Sequence, residues 1–142
     1  MTYIGDNAFS GGAGEGFTEW YDMALELNEL PADLIYLGQG AFYKCVNIKV
    51  TKIPVNITAL LSFTFVDCIN VSLSDFKGIT EIGTMALYTI ENEKIDTIDI
   101  RDIEVIDNIG SSAFEAAYIN LKTVIYNSKI SEEDIAKVLG FE

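Results

Sequence analysis

The chain has 142 residues, 49% of them apolar, which suits a single domain with a substantial core and excludes a disordered segment. Twenty-two acidic side chains against nine basic ones give a net charge of −13, a field that repels phosphate backbones and anionic lipid, so neither nucleic acid nor membrane is an expected partner. Histidine is absent, which excludes Ser-His-Asp and Cys-His catalysis within this chain; two cysteines make a zinc site improbable, and no 18-residue apolar stretch is present to span a bilayer.

The first ten residues, MTYIGDNAFS, lack the basic start of a signal peptide, and none is expected. The stretch YIGDNAFSGG (residues 3–12) returns as YLGQGAFYKC (36–45) and as IGSSAFEAAY (109–118). Alignment on the large residue gives five equivalents, Phe9, Phe42, Phe65, Leu87 and Phe114. Each lies five residues after an aliphatic: Ile4, Leu37, Leu60, Ile82 and Ile109. All of these aliphatics but Leu60 are followed by glycine, and all of the large residues but Phe65 follow alanine. The copies are 33, 23, 22 and 27 residues apart, so the unit is about 23 residues and the first and fourth copies carry insertions. A period of this length points to a solenoid, in which a unit too short to close its own core buries its apolar side against the next.

The first insertion, residues 13–24, follows a glycine-rich hinge and places Phe17, Trp20, Tyr21, Ala24 and Leu25 at helical spacing. Two readings stand: a short helix that covers core, or a binding patch built on Trp20 and Tyr21, since such aromatics anchor interfaces. Glycine after the aliphatic is expected to supply a tight bend with positive φ, and Ala-Phe a turn whose small residue lets the ring fold inward.

Short parallel strands are expected between the cysteine position and the apolar-Pro pair, over residues 23–30, 47–53, 71–76, 94–100 and 121–126. Ile48, Ile53, Val71, Phe76, Ile98, Ile100 and Val124 are the inward candidates. Two-residue alternation turns Lys49, Lys52, Ser72, Ser74, Asp99 and Arg101 outward. In the fourth copy either Ile100 or Ile103 fits the strand-end place. Cys45 and Cys68 stand three residues after their phenylalanines; stacked units put such positions about 5 Å apart, so both a disulfide and a pair of buried thiols fit.

Residues 131–139 read as a C-terminal capping helix, with Ser131 as N-cap, Asp134 at the third position, acidic residues in the first turn and Gly140 as the stop. No such cap precedes Tyr3, so the N-terminal edge is expected to be open to further repeats or to another chain. Asp96, Asp99, Asp102, Glu104 and Asp107 lack the spacing of a calcium loop and read as a solvated face; no cofactor is expected.

The pattern apolar-Gly-x-x-Ala-Phe-x-x-Cys, a few polar residues, then apolar-Pro, best seen in LGQGAFYKCVNIKVTKIPVNI, resembles the BspA-type leucine-rich repeats of bacterial surface proteins. The resemblance spans nearly all of residues 1–142 and weakens in the fourth copy, where Leu87 and Ile90 replace Phe and Cys. It implies a leucine-rich-repeat solenoid of about five repeats, with a short parallel sheet on one face and turns elsewhere. It also implies a non-enzymatic, surface-exposed adhesion or protein-interaction role, with recognition on the sheet face (Lys49, Ser72, Ser74, Asp99, Arg101) or in an insertion (Trp20, Tyr21). The alternative is a structural part of a larger assembly such as a bacteriophage virion.

Overall fold

The computed structural model describes residues 2–10, 27–88, 95–115 and 117–140. Its elements are short: β1 (Tyr3–Ile4), β2 (Tyr36–Leu37), β3 (Ala59–Leu60), β4 (Glu81–Ile82), β5 (Thr97–Asp99), β6 (Thr123–Ile125) and α1 (Glu132–Leu139). The strands pair in parallel as β1 with β2, β3 with β4 and β5 with β6. The chain between them is dominated by turns, and the turns carry the order.

Each Gly-x-x-Ala-Phe corner consists of overlapping turns in which alternate amides point in different directions. The odd set closes the corner on itself: the amides of Ala8, Ala41, Ala86 and Ala113 donate to the carbonyls of Gly5, Gly38, Gly83 and Gly110 three residues back, at 3.2–3.3 Å, and Thr64 does the same to Leu61. The even set leaves the corner and joins it to the next. Phe9 donates to Ala41, Phe42 to Thr64, Phe65 to Ala86 and Leu87 to Ala113, at 2.8–3.0 Å. Two residues earlier, Asn7, Gly40, Phe63 and Met85 repeat the same step to Gln39, Ser62, Thr84 and Ser111. One hydrogen-bond ladder thus runs through all five repeats, and every large residue lies in one row on it.

The rings follow the ladder. Phe9 stacks on Phe42 at 5.5 Å and Phe42 on Phe65 at 5.8 Å, nearly parallel in both cases. Phe42, Phe65 and Leu87 are fully buried, with Leu34, Ile48, Leu60, Leu73, Ile79, Ile82 and Ile98 around them. At the far end Phe114 meets Phe76 edge-on and tilts against Tyr118, whose hydroxyl donates to the Leu73 carbonyl at 2.6 Å.

The glycines act differently from the expectation. Gly5, Gly38, Gly83 and Gly110 do not have positive φ; the left-handed residues lie two positions further on, Asn7, Gly40, Phe63, Met85 and Ser112, at φ 54–64°. This conformation turns their amides along the stack. The glycines after the aliphatics are there for clearance. A β-carbon on Gly38 would collide with the Gly5 and Asp6 backbone, one on Gly83 would lie 2.5 Å from the Ser62 nitrogen, and one on Gly110 would collide with Gly83 and Thr84.

The strand expectation also needs correction. Strands β5 and β6 fall inside the expected segments, but in the other described ones pairing shrinks to single bridges, Leu27 with Ile48 and Asp75 with Asp99, and one bond from Ser72 to Val50. Four of the six strands instead form a second ladder at the aliphatic of each corner, pairing Ile4 with Leu37 and Leu60 with Ile82. The register left open in the fourth repeat is settled by the Asp75–Asp99 bridge, which sets Ile100 beside Phe76; Ile103 then closes a turn onto Ile100. Ile48, Val71, Phe76, Ile98 and Ile100 are buried as expected, and Ile53 and Val124 pack half-buried against the core.

Cys45 and Cys68 are buried thiols with no disulfide between them. Each donates backwards to the ring-bearing residue of the preceding repeat, Cys45 to the Phe9 carbonyl at 2.8 Å and Cys68 to the Phe42 carbonyl at 2.9 Å. Burial pushes the Cys68 thiol well up. Helix α1 has the expected cap: Ser131 Oγ accepts from the Asp134 amide at 3.1 Å, and Gly140 closes the end at φ 81°. Ile135 is buried, and Val138 and Leu139 pack against the core. Among the described residues no helix is long and apolar enough to cross a membrane.

Phe65 is fully buried between Phe42 and Leu87, whereas Lys49 is exposed. Phe65→Ala is expected to cost about 3–5 kcal/mol and Lys49→Ala no more than about 0.5. In a thermal melt the first should lower the midpoint by roughly 10 °C and the second by almost nothing; equal shifts would contradict the alignment of the row.

Candidate binding surface

Because the repeat's signature residues are consumed in packing, any recognition surface must come from what the ladders leave outside. The second ladder leaves one residue per repeat just before the buried aliphatic. In the first two repeats it is tyrosine, Tyr3 and Tyr36, held in register by β1–β2 pairing. Their rings stack at 4.5 Å with a 13° tilt. The Tyr36 hydroxyl donates to Asp6 Oδ1 at 2.9 Å, and the Gln39 amide donates to the same oxygen at 2.9 Å. The hydrogen bond to Asp6 raises the Tyr36 pKa above the ordinary phenol value. Tyr3 is 63% exposed and neighbouring Ile35 62%, so an aromatic pair with a pinned orientation stands beside an aliphatic in solvent.

The bridges Leu27–Ile48 and Asp75–Asp99 and the bond from Ser72 to Val50 lie beside the residues expected to face outward. Lys49, Lys52 and Arg101 are exposed and Ser72 and Ser74 half-buried. They belong to one face, since the Ser72 amide bonds to Val50 beside Lys49 and the Asp99 amide bonds to the Ser74 carbonyl. Asp99 is a correction: it is buried. Arg101, two residues on, folds over it with Nε 3.0 Å from both carboxylate oxygens and Nη2 2.7 Å from Oδ2, and the Arg101 amide also donates to Oδ1. Two-residue alternation did not register this clamp, which turns the carboxylate back to its own strand end. The Arg101 hydrogen bonds hold the Asp99 carboxyl below the usual range, and Asp99 raises the guanidinium in return. Trp20 and Tyr21 lie outside the described residues.

The shifted groups bear on chemistry. Burial raises the Tyr118 hydroxyl and the Cys68 thiol, the bond to Asp6 raises Tyr36, and Arg101 lowers Asp99. None of these moves a side chain toward neutral pH, where general acid–base catalysis is effective. What the arrangement can do is present fixed side chains at fixed spacing.

The repeated corner, the row of buried rings and the thiols bonded one repeat back follow one sequence pattern, and the BspA type leucine rich repeat region, in six copies, matches residues 16–135. The chain belongs to the BspA-type leucine-rich-repeat family. The fold is similar to that of a solved structure, a leucine rich cell surface protein from Faecalibacterium prausnitzii A2-165, at a TM-score of 0.64 and 22% sequence identity. The match covers 97% of this chain and 32% of that one, so this BspA-type chain spans about a third of its length. No curated protein sequence matches.

The sequence signal for the tyrosine pair was the shared position in YIG and YLG, one residue before the buried aliphatic. Parallel pairing at that point makes the stack inevitable.

The Asp99 clamp predicts a pH signature. Its folded pKa lies below the unfolded value of about 3.9, so the stabilisation is fully present above about pH 4 and is lost as pH falls through the folded pKa. Asp99→Asn should therefore melt below the parent at neutral pH, with the gap narrowing as the pH drops below about 4; a gap that stays constant across that window would contradict the clamp.

Proposed function

We propose that this chain is a single-domain, non-enzymatic protein-binding module of a leucine-rich-repeat solenoid displayed at a cell surface, and that the face carrying Tyr3, Tyr36 and Ile35 is where the partner docks. The observation that carries this reading is the exposed tyrosine stack: two aromatic rings held by the backbone register and by Asp6, with a bare aliphatic beside them. Pre-ordered aromatics lose little conformational freedom on binding and are enriched among the residues that dominate interface energies. The surface location is supported by the family and by the cell surface protein that shares the fold. Lys49, Ser72, Ser74 and Arg101, beside the strand bridges, offer a polar surface suited to the rim of a larger footprint, with Asp99 acting by holding Arg101 in place.

The net charge of −13 favours a partner with a basic contact surface, which would approach faster at low salt. The test is a binding panel of host-surface and matrix proteins measured by biolayer interferometry. A protein that binds the parent chain should bind Tyr3→Ala/Tyr36→Ala at least about tenfold more weakly, the loss of roughly 1.4 kcal/mol or more expected for an aromatic hot spot, while the double variant keeps its melting profile. Binding unchanged by the double substitution would place recognition elsewhere.

A further inference from the structure

The two ends of the hydrogen-bond ladder are complementary, and the first repeat keeps clearance residues against which no other described repeat packs. At every internal step the later repeat offers the carbonyls three and one residues before its large residue to the earlier one, and at the three steps where it has the glycine, Gly38, Gly83 and Gly110, the glycine amide donates back to the earlier aliphatic's carbonyl. Between the second and third repeats, for example, the Ser62 and Thr64 carbonyls accept from Gly40 and Phe42, and between the third and fourth, Gly83 donates to the Leu60 carbonyl. In the first repeat the same groups are the Gly5 amide and the Asp6 and Ala8 carbonyls, and among the described residues none has a hydrogen-bond partner. In the fifth repeat the matching groups are the Ile109 carbonyl and the Ser112 and Phe114 amides, which have no hydrogen-bond partner among the described residues either. Each edge offers what the other lacks, in the same order along the chain.

Side chains point the same way. Gly38, Gly83 and Gly110 are required because the preceding repeat's backbone lies against them, yet a β-carbon on Gly5 would meet only the Tyr3 ring at 3.5 Å. Ala41, Ala86 and Ala113 are buried by the repeat before them, whereas Ala8 is exposed and Phe9 only half-buried. Among the described residues, Gly5 and Ala8 are therefore clearance residues with no neighbouring repeat to clear. At the opposite end an open cleft of about 820 Å³ lies between the fifth repeat and α1, lined by Ile109, Gly110, Phe114, Ile119, Val138 and Leu139.

We propose that two copies of this chain associate head to tail, the Tyr3–Phe9 corner of one copy lying on residues 109–114 of the next, in the cleft beside α1. The Ser112 and Phe114 amides then donate to the Asp6 and Ala8 carbonyls of the second copy, whose Gly5 amide donates to the Ile109 carbonyl. The contact is heterologous, so it adds copies in one direction instead of closing a two-fold dimer. Because each copy carries a net charge of −13, repulsion opposes it at low ionic strength, and salt, which shortens the Debye length from about 10 Å at 0.1 M to about 3 Å at 1 M, strengthens it.

Sedimentation of the full 142-residue chain over a concentration series, at low and high salt, tests the contact. The parent should rise above the monomer mass of 15.7 kDa with concentration, more so in high salt. Gly5→Val places a side chain against the docked backbone and, among the described residues of its own chain, meets only the Tyr3 ring, so it should stay at 15.7 kDa with an unchanged melting midpoint. Ala8→Asp, at an exposed position, gives a second, independent block. Gly5→Val keeps an intact fifth repeat and should therefore cap parent assemblies, lowering their mean mass when mixed in. A parent that stays monomeric throughout would overturn the proposal and leave the edge to a neighbouring repeat of a longer chain; association undiminished in both variants would overturn it as well. Tyr3 borders both surfaces, and the two readings are separated by variant: Gly5→Val and Ala8→Asp block self-association with both tyrosines in place, whereas the tyrosine-face reading is measured by partner binding of Tyr3→Ala/Tyr36→Ala.

Discussion

Everything in this molecule depends on the alternation of amide direction at the corner of each repeat. A chain that turns sharply every few residues has main-chain donors that neither a helix nor a sheet can satisfy, and leaving them unpaired in a core costs about as much as the hydrogen bonds they forgo. Here every second amide closes its own turn and the intervening ones reach to the following repeat, so the accounting closes only when repeats are in register. The left-handed residues are the conformational cost of that arrangement. At Asn7 and Gly40 it is small, but at Phe63 and Met85 a bulky side chain occupies a region that disfavours L-residues by about 1–2 kcal/mol, and bonds to Thr84 and Ser111 hold them there.

Packing follows from the same register. Equivalent residues sit above one another, so a ring meets a ring, a thiol meets the carbonyl one repeat back, and a glycine meets backbone. The Thr64 departure shows how tightly the position is held: a hydroxyl in place of alanine is buried, and it is tolerated because Oγ1 donates to the Leu61 carbonyl at 2.7 Å. The surface is what the register does not consume. Acidic charge, a clamped aspartate and a tyrosine pair all lie outside the row.

The parts legible in the sequence were those written in side-chain burial. The period, the row from Phe9 to Phe114, the equivalence of Cys45 and Cys68 and the Ser131-capped helix all follow from which residues are apolar and at what spacing. The parts that were not legible concern the main chain and its neighbours about 23 residues away. Glycine after the aliphatic read as a bend because positive φ is its usual reason, whereas here it makes room for the Gly5–Asp6, Leu61–Ser62 and Gly83–Thr84 backbones. The cysteine spacing allowed a bridge, but each thiol points to a carbonyl instead. Asp99 read as an outward residue because alternation takes no account of an arginine two positions later. For the same reason the tyrosine stack, visible as YIG and YLG, needed the strand register to become a surface feature.

Amide hydrogen exchange, resolved by residue, reaches the central claim most directly. If corner amides bind the following repeat, those of Phe42, Phe65 and Leu87, together with Gly40, Phe63 and Met85, exchange only with global unfolding and rank among the slowest in the chain, although they lie in turns. Exchange of these six at the rate of exposed loop amides, while β5 and β6 stay protected, would contradict the account.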